Sequence, residues 1–227
     1  MISSLRRAMR RLRHKQLHSP VVKVEWVELG SDYGGWPVAV AGLPQRPVIY
    51  SFGVGEDISF DLQAIARFGA IVHAFDPTPR SRKWLDQQPL PSDFHFHPVG
   101  IAARDGQVEF FPPADERHVS FSNAPSDRQQ GAPIVAEVRS LASILRDVGG
   151  SVPDILKMDI EGFEYEVIES LVDSALRPSQ LLIEFHHGMY SARDADTQRA
   201  VEQLHAIGYR LFFVSETGRE YGFVLSY

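Results

Sequence analysis

From residue 48 onward, short apolar runs alternate with stretches whose apolar residues recur every three or four positions. The run 48–52 reads as a buried strand. Residues 58–68 place Ile58, Leu62, Ile65 and Phe68 on one helical face. The same reasoning predicts strands at 71–75, 94–99, 155–160, 181–185, 211–215 and 221–225, and helices at 78–87, 141–148, 163–171 and 195–207. Thr78 and Ser140 stand where helix N-caps belong, and Pro79 takes the first helical position. Candidate strands 107–111 and 135–139 flank a long polar stretch, 112–133. Strand–helix alternation implies an α/β fold, a mostly parallel sheet with helices on both faces. The last two strands are separated by 216–220, a turn-length gap containing Gly218, so that pair is expected to be antiparallel.

Upstream, 21–29 and 36–41 read as short strands joined by the turn-rich 30–35, and Pro44 and Pro47 interrupt pairing before the main sheet begins. The expected organisation is a basic N-terminal segment (1–20), a strand extension (21–47) and a main domain (48–227). The absence of cysteine excludes disulfides, thiolate metal sites and cysteine nucleophiles. No apolar run approaches the roughly 20 residues of a membrane span, and no apolar core follows the basic start, so a cytoplasmic address is expected. The net charge of −6 hides an asymmetry. Residues 1–23 carry seven basic residues and no acid, whereas the rest carries 16 basic and 29 acidic residues. An acidic body argues against a nucleic-acid partner. The basic head, residues 1–18, is expected to be dispensable for folding; peripheral contact with an anionic membrane or an acidic partner is its alternative use.

Three motifs carry chemistry. In 50–57, Gly53 and Gly55 leave the first main strand and remove side chains where a ligand must approach backbone, with Phe52 and Asp57 beside them. Ile58 stands where a third glycine would complete a dinucleotide fingerprint, which counts against a pyrophosphate ligand. Asp76 ends the second strand 23 positions after Gly53, an offset that suits an acid bonding the two ribose hydroxyls of an adenosine. Its plain alternative is a turn residue before Pro77. The third motif is Lys157-Met-Asp-Ile-Glu-Gly-Phe-Glu164.

Together these segments resemble the FkbM family of methyltransferases, over roughly residues 48–190. Tyr33-Gly-Gly-Trp36 and Glu184-Phe-His-His187 resemble a branch of that family containing methyltransferase-like animal and plant proteins. The Asp-x-Glu-Gly-x-Glu block is the most specific match. The resemblance implies a class I methyltransferase fold, Rossmann-like, with a seven-stranded sheet ending in an antiparallel hairpin. It implies S-adenosylmethionine as donor and a hydroxyl oxygen of a small molecule or sugar as acceptor. By the same analogy Gly53, Gly55 and Asp57 line the methionine end, Asp76 holds the ribose, and Gly100 and Ile101 flank the adenine. The competing readings are a nucleotide-dependent oxidoreductase and a non-catalytic cofactor-binding scaffold.

Alternation along strands puts Lys157, Asp159 and Glu161 on one face, and Glu184 and His186 on one face of the next strand. Asp159, Glu161 and His186 are therefore the expected reaction centre, with Asp159 also touching the donor. They would take the acceptor's proton directly or through a divalent metal; the direct base is the simpler expectation. Glu161 and Glu164 alternatively just begin a helix, where acids suit the dipole. Lys157 is expected to be glue for Asp159 or Glu184, and His187 a packed or exposed histidine. The polar stretch 112–133, with His118, Ser120 and Ser122, is a candidate lid over the acceptor.

Overall fold

The computed structural model describes residues 17–111, 133–188 and 192–226. The basic head and the stretch with His118, Ser120 and Ser122 thus lie almost wholly outside the described residues. His18 is described, and its ring packs edge-on against Tyr221.

Twelve strands and five helices follow one another in the described residues. The extension supplies β1 (Trp26–Leu29) and β2 (Trp36–Ala39), an antiparallel pair. The main sheet is built from β3 (Val48–Phe52), β4 (Ile71–Phe75), β5 (Phe94–His97), β9 (Ile155–Met158), β10 (Gln180–Glu184), β11 (Tyr209–Val214) and β12 (Glu220–Leu225). Between β5 and β9 lie β6 (Gly100–Ile101), β7 (Gly106–Phe110) and β8 (Ile134–Arg139), a separate three-stranded sheet of order β6-β8-β7. The helices are α1 (Ser59–Phe68), α2 (Pro79–Leu85), α3 (Leu141–Val148), α4 (Glu164–Asp173) and α5 (Asp194–Ala206). None of the described helices is long and apolar enough to cross a membrane.

The seven-stranded sheet runs β5-β4-β3-β9-β10-β12-β11. All neighbours are parallel except around β12, which is antiparallel to both β10 and β11. That order, with the last strand inserted in reverse beside the fifth, is the class I methyltransferase arrangement expected from the sequence. The order reverses between β3 and β9, so the carboxyl ends of these two strands border a crevice suited to a ligand.

Alternate residues of the central strands enter two cores. Tyr50, Leu156 and Leu181 pack with α3, α4 and α5 on one face. Ile49, Ile155 and Leu182 pack with α1 and the extension on the other, where Trp36 and Val38 are fully part of the core. The extension is anchored by buried Gln180, whose amide exchanges two hydrogen bonds with the Ala39 backbone, as a strand would.

Caps define the helices as anticipated: Thr78 and Ser140 accept from Ser81 and Ser143 backbone N–H groups. Between β11 and β12 the register shifts at Phe212. Gly222 makes room for that ring, since a Cβ there would lie 2.6 Å from it. At the far edge, His73 of β4 faces His95 and His97 of β5, with ring centroids 5.1 and 5.3 Å away.

Candidate active site

The first loop of the site leaves β3 at Gly53. The Gly53 amide bonds to the Phe75 carbonyl and the Asp159 amide to the Phe52 carbonyl, so the ladders continue past the strand ends. A Cβ on Gly53, whose φ is 83°, would lie 1.8 Å from the Asp159 carbonyl oxygen. Only glycine lets this loop and the exit of β9 meet so closely. Phe52, expected beside the cofactor, has its ring committed to the core, stacked on Phe75 at 4.5 Å; only its backbone borders the loop.

Asp76 sits behind this loop with both oxygens engaged. One accepts from the amides of Val54 (3.1 Å) and Gly55 (3.0 Å). The other accepts from the Thr78 amide (2.8 Å) and hydroxyl (2.6 Å). These four donors match a carboxylate's lone-pair capacity. The carboxylate therefore shapes the loop, and any ribose hydroxyl must share oxygens already in use. Gly100 and Ile101 lie behind it: a Cβ on Gly100 would be 3.2 Å from Pro77, and Ile101 is buried in the main core. Gly100 thus packs on the proline that follows Asp76, whereas the Ile101 side chain faces the core rather than an open face.

Asp57 is held by the extension. It accepts from the Ser31 hydroxyl at 2.6 Å and the Ser59 amide at 2.7 Å. Burial opposes its ionisation, but these bonds outweigh burial and keep its carboxyl below the usual range. Gln63 adds a two-way bond with the Gly30 backbone, so the turn 30–35 straps the start of α1.

The second half of the site is a histidine ringed by acids. His186 follows β10, and its side chain is 3% exposed. Its Nδ1 meets the carboxylate of Glu164, which is 0% exposed. Its Nε2 faces Glu161 at 3.2 Å, Asp159 at 3.8 Å and Glu184 at 3.9 Å. The structure therefore brings Asp159, Glu161 and His186 together as expected. The route differs for Glu161. The strand β9 stops at Met158, and Glu161 reaches the imidazole from a left-handed turn (φ 52°), followed by Gly162 at φ 105°.

Burial alone would pull the His186 pKa down; Glu164, then Glu161 and Asp159, more than reverse this and raise it well above its ordinary value. Burial first, then neighbouring acids, raise Asp159 and Glu184 in turn. Tyr33 is 83% exposed, yet partial enclosure and then the field of Asp159, Glu184 and Glu161 hold its phenol pKa up, so it lies within reach of the cluster's charge.

Lys157 makes no ion pair with Asp159 or Glu184 among the described residues, but its charge favours the ionised form of Asp159, in part the role expected of it. Its Nζ donates to the Gly53 carbonyl at 3.3 Å and lies 5.0 Å over the Trp36 ring, tying β9 to the glycine loop and the extension. His187 is packed, in contact with Thr197. Glu164 was undervalued from sequence, where a helix-start acid explained it; its place as third acid of the Asp-x-Glu-Gly-x-Glu block was the available signal.

A family model described as "Methyltransferase FkbM domain" matches residues 49–211. Among known proteins, the chain is similar to "Probable methyltransferase-like protein 24" of Rattus norvegicus, 33% identical over 140 residues, covering 61% of this chain and 32% of that protein. It is also similar to the Homo sapiens protein of the same name, 31% identical over 140 residues with the same coverage. The chain thus spans about a third of the length of these relatives. Among solved structures, an FkbM methyltransferase from Methylobacillus flagellatus KT aligns at a TM-score of 0.49 and 16% identity, over 81% of this chain and 45% of that one. With the family model spanning well over half of its length, the chain belongs to the FkbM methyltransferase family.

Proposed function

We propose that the chain is an S-adenosylmethionine-dependent methyltransferase that modifies a hydroxyl of a small molecule or sugar, in the cytoplasm and without a nucleic-acid partner. One observation carries this reading. The glycine loop, with Asp76 behind it, and the acid–histidine cluster meet backbone to backbone, at Gly53 and Asp159. A donor seated on the loop would have its reactive end beside groups able to take a proton.

The residues fit such a donor. Gly53 and Gly55 adopt φ of 83° and 54°, so two positions of the loop carry no side chain and expose backbone. Asp57 and Asp76 supply acids at the two ends expected to meet amine and ribose. When bound, S-adenosylmethionine supplies an activated methyl group, so the protein's task is to align the acceptor and remove its proton. Asp159, Glu161 and His186 surround the position for that proton. Tyr33 lies within reach of the cluster's charge, and its exposed ring can stack on a sugar or planar acceptor.

The test is calorimetry with S-adenosylhomocysteine and with its 2′-deoxy analogue. Asp76→Ala should weaken the first by about 10- to 100-fold, as expected for bonds to a charged group worth about 1.5–3 kcal/mol. If Asp76 also touches the ribose, the wild type discriminates between the two ligands and the variant does not. Unchanged affinity for S-adenosylhomocysteine in Asp76→Ala would refute the role. A screen of hydroxylated acceptors with labelled donor then identifies the product.

A further inference from the structure

We propose that Asp159, Glu184 and His186 form a binding site for a hard divalent cation, with Glu164 as the residue that positions the imidazole. The inference deepens the methyl-transfer reading and rests on it for its chemical purpose, but not for its geometry. One donor atom from each of the three residues lies within 4.8 Å of the other two. Ligand atoms bound at about 2.0–2.3 Å to one ion are spaced up to about twice that distance. The His186 Nε2 separations from Asp159 (3.8 Å) and Glu184 (3.9 Å) are too long for hydrogen bonds and suit groups sharing an ion between them.

Charge points the same way. Asp159, Glu161, Glu164 and Glu184 face a single imidazole, and each is at most one-third exposed. Lys157 offsets Asp159 in part, but its Nζ bonds the Gly53 carbonyl and sits over Trp36, and it is one cation against four acids. Acids so crowded and partly dry need protons or a cation to coexist.

Glu164 is the independent observation. It is wholly buried, one oxygen holds His186 Nδ1, and its Oε2 has no hydrogen-bond partner. A buried carboxylate on the far nitrogen is how a metal-ligating histidine is held with its other nitrogen forward. Two carboxylates and an imidazole favour Mg²⁺ or Mn²⁺ over a soft metal. Three protein ligands would leave coordination positions open for water or an acceptor oxygen.

This arrangement replaces the direct base. An ion there would polarise the acceptor hydroxyl and lower the pH at which it ionises. The proton passes to Glu161, the acid beside the ligand set at 3.2 Å from the imidazole. The freed oxygen pair then forms the oxygen–carbon bond as the carbon–sulfur bond breaks and its electrons return to sulfur.

The experiment uses the full chain stripped with chelator and titrated with Mn²⁺, free ion being counted by electron paramagnetic resonance. One site per chain is expected. Glu184→Gln and His186→Ala should each weaken it at least tenfold. Glu164→Leu should weaken it about 10- to 100-fold, with Glu164→Gln, which keeps an oxygen for Nδ1, intermediate. Circular dichroism checks folding, and Glu184→Gln, nearly isosteric, carries the test where His186→Ala does not fold. No stoichiometric Mn²⁺ in the wild type, or binding untouched by Glu184→Gln and Glu164→Leu, overturns the site. Calorimetry with S-adenosylhomocysteine runs in parallel. Lost donor binding with intact Mn²⁺ binding sinks the methyl-transfer reading alone, and the reverse sinks the cation alone.

Discussion

Asp61 sits in the first turn of α1, fully buried, with Oδ1 lacking a hydrogen-bond partner. Burial drives its pKa up to about 6, although Lys157 pulls the other way. The folded carboxyl thus holds its proton to higher pH than the unfolded one. Its stabilising contribution is complete below about pH 4 and is lost as pH rises through about 6. A rise from 3.8 to about 6 corresponds to about 3 kcal/mol. Asp61→Asn should therefore resist urea better than the wild type at pH 8, by up to that amount, and differ little at pH 4. Equal gains at both pH values would mean that charge is not the cause. The residue scale is also where sequence reasoning was sharpest and most exposed. Asp159 and His186 met as expected, because their strands are neighbours. Glu161 met them for a reason alternation does not contain, a left-handed turn. Glu164 and Lys157 took partners that only the folded chain reveals.

The turn between β1 and β2 illustrates what is legible at the scale of elements. Its glycines, with Ser31 and Asp32, announced a turn between two strands, and that is what forms. Where it docks depends on contacts 26 to 33 residues away in sequence, from Ser31 to Asp57 and from Gly30 to Gln63, which no local pattern encodes. The two-residue β6 was likewise invisible, being too short to show a period. If the strap serves the donor loop, Ser31→Ala should cost about 1 kcal/mol of donor affinity, roughly fivefold in Kd, by releasing Asp57. Calorimetry and a thermal melt separate the cases. A lower melting temperature with unchanged affinity would make the strap only a clasp on α1.

Across the whole molecule, the alternation of strands and helices was readable from the apolar pattern, whereas the order of the seven main strands was implied only by the family resemblance. The histidines at the β4–β5 edge were not singled out, since nothing in the sequence says that 73 and 97 meet. Yet they bear on how this protein can be handled. His73 Nδ1 and His97 Nε2 lie 3.0 Å apart, an arrangement that requires an unprotonated nitrogen. Burial first, then His97 and His95, depress His73 to about 4, and burial with His95 lowers His97. Depressed imidazoles stabilise the fold above their unfolded value of about 6.5, and that support drains away as acid is added toward 4. The His97 carbonyl also accepts from the Asp76 amide, so a loosened edge reaches the carboxylate that shapes the glycine loop. Mild acid should act as an off-switch that spares the body: donor binding should fade between about pH 6 and 4 while the helical dichroism signal persists. Loss of both together would place the weak seam elsewhere. Acid elution during purification would then deliver a folded but ligand-blind preparation, recoverable on return to neutral buffer.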